Sequence, residues 1–209
     1  MQVIAVIGDI VASRQAADRA TLQRTFEQVV QGLNQTQNAI LSPYTITLGD
    51  EFQAVLSDGY AALRDSIKIL GEMHPGRVRF SIAVGELSTA LKNDSALGMD
   101  GPAFHLARDG MEALKDSSGT YHVAGLPDDL GELVNSSLRI TGLGMRTWRK
   151  NRYDIMHALH EGEKVKDISS RLGISDKAIY KNIQDSGMED IDTLYREIGR
   201  AMQRVMGTG

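Results

Sequence analysis

Gly8-Asp9-Ile10 and Leu48-Gly49-Asp50-Glu51-Phe52 are the two stretches that decide the fold of this 209-residue chain. The first follows an apolar run at residues 3–7, which is typical of a buried strand. The second joins the β-rich stretches 44–48 and 52–56 at a Gly-Asp turn, which predicts a hairpin. An acidic residue at the end of a central strand and another at the tip of a neighbouring hairpin can face the same point.

Asp9 and Asp50 are therefore candidate metal ligands. Two carboxylates held together repel each other unless a cation lies between them, and their hard oxygen atoms favour Mg²⁺ or Mn²⁺. Magnesium in turn usually brings the phosphates of a substrate. Each aspartate taken singly is better explained as a turn residue. Their occurrence together, within ordered flanking motifs, favours a shared metal site.

The elements predicted for residues 1–124 follow the order β-α-β-β-α-β, with one more helix and strand after them. A single split-βαβ, ferredoxin-like sheet with helices on one face satisfies this order, so we expect an α+β fold. The predicted strands are 2–8, 44–48, 52–57, 77–84 and 120–124. The predicted helices are 19–39, a second between Asp58 and Pro75, and a third that starts at Pro102 after a polar loop at 85–101.

The sequence then divides into two parts. Residues 125–144 combine Gly and Pro with little periodicity, which predicts a linker at 129–144 between a domain at 1–128 and a second at 145–209. From Met145 onward the pattern is helical, with helices expected at 146–160, 163–172, 175–185 and 189–206. Residues 145–209 hold 12 Lys and Arg against 10 Asp and Glu, which leaves 11 against 17 in the rest of the chain. This change of sign supports two domains.

The composition excludes several classes of protein. The chain has no cysteine, so disulfides, zinc–thiolate sites and cysteine nucleophiles are excluded. No apolar run approaches the length that spans a bilayer, so we expect no membrane partner. The first residues run straight into a predicted strand without a charged leader, so we expect no signal peptide and a cytoplasmic protein.

Four segments carry a recognisable pattern in order: 8–14, 47–52, 82–86 and 101–108. This series resembles the class III nucleotidyl cyclases and the GGDEF diguanylate cyclases, which share a palm-like catalytic fold. Joined to the helical tail, the arrangement is most similar to the SatD family, a group of bacterial proteins. The resemblance covers essentially the whole chain, and it implies a nucleotidyl cyclase-like palm domain at 1–128.

The resemblance also implies a magnesium and nucleotide site. Asp9 and Asp50 match the two metal-binding aspartates of the cyclases, and Glu51 matches the acidic residue of the GGDEF motif. Two magnesium ions there would deprotonate a 3′-hydroxyl and stabilise charge on the α-phosphate. The backbone after Asp9 would complete the metal site and face the triphosphate of a purine nucleotide, through the carbonyl of Ile10 and the amides of Val11, Ala12 and Ser13.

Several positions depart from the cyclase pattern. Ile46 stands where cyclases have an adenine-selecting lysine. His105 and Asp109 stand where cyclases have a transition-state asparagine and arginine, and Arg108 is displaced by one position. His105 and Arg108 are thus the candidate catalytic residues, but an arginine moved by one helical position stabilises phosphoryl charge poorly. The sequence supports nucleotide and metal binding better than turnover.

Residues 165–181 are similar to the helix-turn-helix of sigma-factor region four and of LuxR-type regulators. The step Leu172-Gly173-Ile174-Ser175 is a short turn followed by a serine N-cap, as between the two central helices of that motif. The outward residues of the second helix would read the major groove, or would contact another protein. These candidate DNA-binding residues are Ser175, Lys177, Tyr180, Lys181 and Gln184.

Three functional hypotheses follow. The first is a bacterial regulator in which a magnesium-dependent, purine nucleotide-binding palm is coupled to a DNA-binding tail. The second is an active nucleotidyl cyclase or nucleotidyltransferase whose tail mediates dimerisation. The third makes both parts interaction modules without small-molecule chemistry. The resemblance suggests a homodimer.

Overall fold

A computed structural model describes residues 1–11, 18–36, 39–47, 49–117 and 119–207, with only the backbone of Thr36. Its centre is one five-stranded sheet with the strand order β2-β3-β1-β4-β5. Neighbouring strands are antiparallel except β4 and β5, which are parallel. The first four strands have the ferredoxin-like order, so the predicted α+β fold class is confirmed. The strands are β1 (Gln2–Val11), β2 (Ile40–Ile46), β3 (Glu51–Leu56), β4 (Arg77–Glu86) and β5 (Tyr121–Ala124).

Helices cover both faces of the sheet rather than the one face that was expected. α1 (Arg19–Thr36) and α2 (Gly59–Met73) share a core with Ile4, Val6 and Ile10 of β1. α3 (Pro102–Asp116) covers the opposite face, where Val3, Ala5 and Ile7 lie. Two physical reasons require this cover: β1 is apolar on both faces, and the connection between the parallel strands β4 and β5 has to cross a face of the sheet.

The segment expected to be an irregular linker is a helix, α4 (Asp128–Met145), packed along β5. The amide side chain of Asn135 accepts from the Val123 backbone N–H at 2.8 Å and donates to the Val123 carbonyl at 2.8 Å. Asn135 therefore satisfies backbone groups of β5, an edge strand of the sheet that the described residues form. Leu138 is completely buried in the main core. Tertiary packing overrides the low helix propensity of the glycines in this segment.

The carboxy-terminal helices pack against the rest of the chain. They are α5 (Lys150–His160), α6 (Val165–Leu172), α7 (Asp176–Ser186) and α8 (Met188–Gly207). α5 and α8 lie on α2, and the Tyr60 hydroxyl donates to Asp192 at 2.7 Å. The buried side chain of Tyr195 reaches the ring of Tyr121, with 6.0 Å between ring centroids. One hydrophobic core therefore includes residues from the sheet and from the tail.

No helix among the described residues is long and apolar enough to cross a membrane.

Candidate functional site

A row of three charged residues crosses the sheet at the end of β1. Asp9 is in register with Glu51 of β3 on one side and with Arg79 of β4 on the other. Residues directly opposite each other in antiparallel strands project from the same face, here the face that α3 covers. The Arg79 Nη1 atom lies 3.1 Å from Asp9 Oδ2, and the two side chains are 16% and 18% exposed. Asp9 is thus held by a cation that the protein itself supplies.

The electrostatics around Glu51 show an excess of negative charge. Burial raises the pKa of Glu51, and the charges of Asp9, Asp50 and Glu112 add to the rise, while Lys115 opposes it. The pKa of Lys115 is itself raised, first by its hydrogen bond to Glu112 at 2.8 Å and then by the charges of Glu51 and Asp9. Acidic groups therefore gather at this end of the sheet, and a cation bound there would be stabilised.

The hairpin tip that carries Asp50 is tied to the end of β1. The Ile10 backbone N–H donates to the Asp50 carbonyl at 2.9 Å, and the Thr47 N–H donates to the Glu51 carbonyl at 2.9 Å. Gly49 adopts a φ of +76°, a conformation that favours glycine. The structure thus brings Asp9, Asp50 and Glu51 to one end of the sheet. That they share one metal ion stays a prediction.

The donor set at this end is small. Among the described residues, no three acidic or histidine side chains are grouped closely enough to hold a metal ion by themselves. A cation held by Asp9 and Asp50 would need further oxygen atoms from the backbone, water or a phosphate, which suits Mg²⁺. Of the predicted nucleotide-contacting residues, Ile10 is buried and Val11 ends β1. Ala12 and Ser13 lie outside the described residues.

The candidate catalytic residues His105 and Arg108 lie elsewhere, near the start of α3. Both contact Asp100, with His105 Nε2 at 3.0 Å and Arg108 Nη1 at 3.5 Å from its Oδ1 atom. Both are exposed, at 61% and 53% of the side chain. Arg108 lies about 10 Å along the helix axis from Lys115, the α3 residue whose pKa is raised in part by the charge of Asp9. Within one chain, the structure does not bring these residues to the acidic end of β1.

Sequence reasoning missed Arg79 and Lys115, the two cations of the site. Arg79 follows the alternation of residues 77–80, but its place beside Asp9 depends on the register of β4 against β1. Lys115 arrives from the last turn of α3, on the face of the sheet where no helix was expected. A sequence signal for either residue would have required knowing the strand order first.

The predicted DNA-contacting residues lie on the exposed side of α7. Ile179 and Ile183 face the core, whereas Lys177, Tyr180, Lys181 and Gln184 are exposed. Gly173 ends α6 with a φ of +66°, and the Ser175 hydroxyl caps α7 by accepting from the Ala178 N–H at 3.2 Å. In the first turn of α5, Lys150 is paired with Glu72 and Asp154, and Arg152 donates to Asn182.

Comparison with known proteins gives one family and a set of distant structures. The model of the SatD family matches residues 3–202. No curated protein matches this chain. Two solved structures of a bacterial light-regulated adenylyl cyclase are similar to it, each with a TM-score of 0.45. One is 16% identical over 58% of this chain and 74% of the cyclase chain; the other is 15% identical over 59% and 42%.

Proposed function

We propose that this protein, which belongs to the SatD family, binds a purine nucleotide with Mg²⁺ at the acidic end of β1 and acts as a regulator that binds DNA through α7. The observation that carries the nucleotide part is the row Glu51–Asp9–Arg79 together with the Asp50 hairpin tied to Ile10. Mn²⁺ could replace Mg²⁺, because it takes the same oxygen ligands.

The electrostatics support a metal–phosphate ligand. The raised pKa of Glu51 reflects burial among like charges, and a divalent cation between Asp9 and Asp50 would relieve that repulsion. The cation would also displace Arg79 from Asp9. The freed guanidinium would then be available to a phosphate group, which it binds well. Arg79 thus serves as the counter-charge of Asp9 when no metal is bound.

A binding role is favoured over turnover by the position of the candidate catalytic pair. His105 and Arg108 lie in the first half of α3 and contact Asp100. Efficient phosphoryl chemistry needs its arginine at the transferring phosphate, whereas the candidate arginine, Arg108, is paired with Asp100. α4 also exposes Leu133, Ile140 and Leu143 at 64%, 73% and 51%, an apolar stripe that favours a homodimer.

The DNA-binding part rests on the exposed side of α7. Its two lysines, together with Tyr180 and Gln184, project from a helix that is capped by Ser175 and anchored by two buried isoleucines. Lysines supply phosphate contacts, and glutamine and tyrosine can contact bases or backbone. The alternative is an active nucleotidyltransferase whose tail mediates dimerisation.

Thermal melting of the full-length protein tests the nucleotide part. We expect ATP or GTP to raise the melting temperature more in the presence of Mg²⁺ than in EDTA, because metal-dependent binding to the native state stabilises it further. The absence of any metal-dependent shift across a panel of purine nucleotides would contradict the proposal. Mass spectrometry of the same samples distinguishes a sensor, which leaves the nucleotide intact, from an enzyme, which forms a cyclic or transferred product.

A further inference from the structure

Two adjoining cavities lie where the start of β4 meets the carboxy-terminal helices, apart from the Asp9–Asp50 pair. Their volumes are about 300 Å³ and about 220 Å³, and both are lined by Thr120, Gly142 and Arg146. The walls come from the end of α2, the start of β4, the approach to β5, the end of α4 and the start of α5. A combined space of this size suits a small organic molecule.

Aromatic side chains form part of the wall of the larger cavity. The rings of Trp148 and Tyr153 lie 5.3 Å apart, and the ring of His74 lies 6.2 Å from that of Tyr153. Trp148 and Tyr153 are 5% and 7% exposed. The Tyr153 hydroxyl donates to the Met145 carbonyl at 2.9 Å, so its polar end is satisfied within the protein. These aromatic side chains can pack against a flat ring of a ligand.

Basic side chains line both cavities. Arg77 and Arg146 line the larger cavity, and Arg139 and Arg146 line the smaller one, beside the hydroxyls of Ser117 and Thr120. None of the described residues that line the two cavities is acidic. The pKa of Arg77 is lowered, first by partial burial and then by the positive charges of Arg146 and Arg79. An anion between these guanidinium groups would relieve their repulsion.

We propose that the two cavities together form a groove that is a second ligand site. It takes an organic phosphate with a flat ring, of the size of a nucleoside monophosphate. The phosphate would lie between Arg77 and Arg146, and the ring would lie against Trp148. Since none of the described lining residues carries a carboxylate, we expect binding without a divalent metal. The site goes beyond the proposed metal–nucleotide function and does not depend on it.

The groove also joins the sheet to the tail. His74 and Arg77 belong to the α2–β4 segment, whereas Arg146 and Trp148 lie between α4 and α5. A ligand that contacts both parts stabilises their packing, because it binds the assembled arrangement only. Occupancy is therefore expected to raise the melting temperature in EDTA.

Full-length protein titrated in EDTA with AMP, inorganic phosphate or adenosine tests the site. Trp148 is the only tryptophan in the chain, so its fluorescence reports on the groove, and calorimetry gives an independent affinity. We expect AMP to bind at least about tenfold more tightly than phosphate or adenosine, since only AMP can contact the arginines and the aromatic side chains together. Arg77→Gln and Arg146→Gln should each weaken AMP binding about tenfold or more, the effect of losing a charge-assisted contact.

Arg149→Gln is the matched control, because Arg149 is exposed and lines neither cavity. Asp9→Asn separates the two sites: AMP binding in EDTA should survive it. The proposal is overturned if AMP gives no saturable signal by either method, or if phosphate alone binds as tightly as AMP. It is also overturned if Arg149→Gln weakens binding as much as Arg146→Gln, or if Asp9→Asn abolishes it.

Discussion

The Asp9 carboxylate and the Arg79 guanidinium are both largely shielded from water and lie 3.1 Å apart, so removing one charge without replacing it destabilises the protein. Glu51 lies beside them with its pKa raised by burial and by the neighbouring acids. The negative charge at the end of β1 therefore exceeds the positive charge of Arg79 and Lys115. Such an arrangement responds strongly to an added cation.

Asp50→Asn tests whether the hairpin carboxylate binds metal. We expect the folded protein to remain intact, because the Asp50 contact to Ile10 uses the backbone carbonyl. The magnesium-dependent nucleotide shift in melting temperature should disappear, and nucleotide affinity should fall at least about tenfold as a charged ligand is lost. Asp94→Asn, at an exposed loop position, is the control. Unchanged nucleotide binding in Asp50→Asn would remove Asp50 from the site.

Asp65 should make the stability of the protein depend on pH. Burial raises the pKa of Asp65 to about 7, although the hydrogen bond from Tyr44 at 3.0 Å and the charge of Arg64 oppose the rise. The Asp65 carboxyl keeps its proton to a higher pH in the folded state than in the unfolded state. The free energy of unfolding should therefore decrease as the pH rises from about 4 to about 7, by at most about 4 kcal/mol. Urea denaturation across that range measures it.

The matched variant is Asp65→Asn, which keeps the shape and removes the titration. Its free energy of unfolding should vary less over the same pH range than that of the unmodified protein. Two parallel pH profiles would show that Asp65 titrates normally in the folded state.

At the scale of the element, α7 illustrates how local sequence shapes a surface. Gly173 ends the preceding helix α6 and Gly187 ends α7, both in left-handed conformations. The Ser175 hydroxyl satisfies an otherwise unpaired amide of the first turn of α7. Apolar residues recur at helical spacing on the buried side. The remaining side is free for polar residues, and its lysines lie near Asp176 and Asp185. This mixture predicts weak binding to DNA by a single copy.

Lys177→Ala combined with Lys181→Ala tests the DNA-binding proposal. Loss of two phosphate contacts should weaken binding on the order of tenfold at moderate salt and reduce the slope of log affinity against log salt by about 2. Gel retardation and fluorescence anisotropy with genomic fragments measure this. Arg200→Ala with Arg204→Ala removes the same charge from exposed positions of α8 and should have little effect. Equal losses in both pairs would indicate only a general effect of net charge.

At the scale of the whole molecule, the tail and the sheet behave as one packed body. The close approach of α8 to α2 depends on glycine: a Cβ at Gly199 would lie 2.7 Å from the backbone nitrogen of Tyr60. Nearby, Tyr195 is completely buried and His160 Nε2 lies 3.1 Å from Asp192. The tail and the sheet therefore share one continuous set of packing contacts.

Gly199→Ala should consequently destabilise the whole protein. The added methyl group has to push backbone apart, which typically costs about 1–3 kcal/mol, and unfolding should stay a single transition because the core is shared. Gly144→Ala is the control: nothing lies within 4 Å of its Cβ position in α4, so it should be neutral or stabilising by up to about 1 kcal/mol. A separate early transition of the tail in Gly199→Ala would indicate two independent units.

The sequence by itself determined most of the strands and helices and the acidic end of the sheet. Local strand and turn preferences account for residues 3–7 and for the Gly49-Asp50 turn. Asp58 caps α2, where its side chain accepts from the Tyr60 N–H. The structure of these parts could therefore be predicted from the residues alone. Only the tertiary structure decided that 128–145 is a helix, since Asn135 and Leu138 gain their partners from β5 and the core. The tertiary structure also places Arg79 and Lys115 near Asp9, whereas it pairs Arg108 with Asp100. Strand register and helix placement depend on contacts between residues far apart in sequence, which no local pattern records.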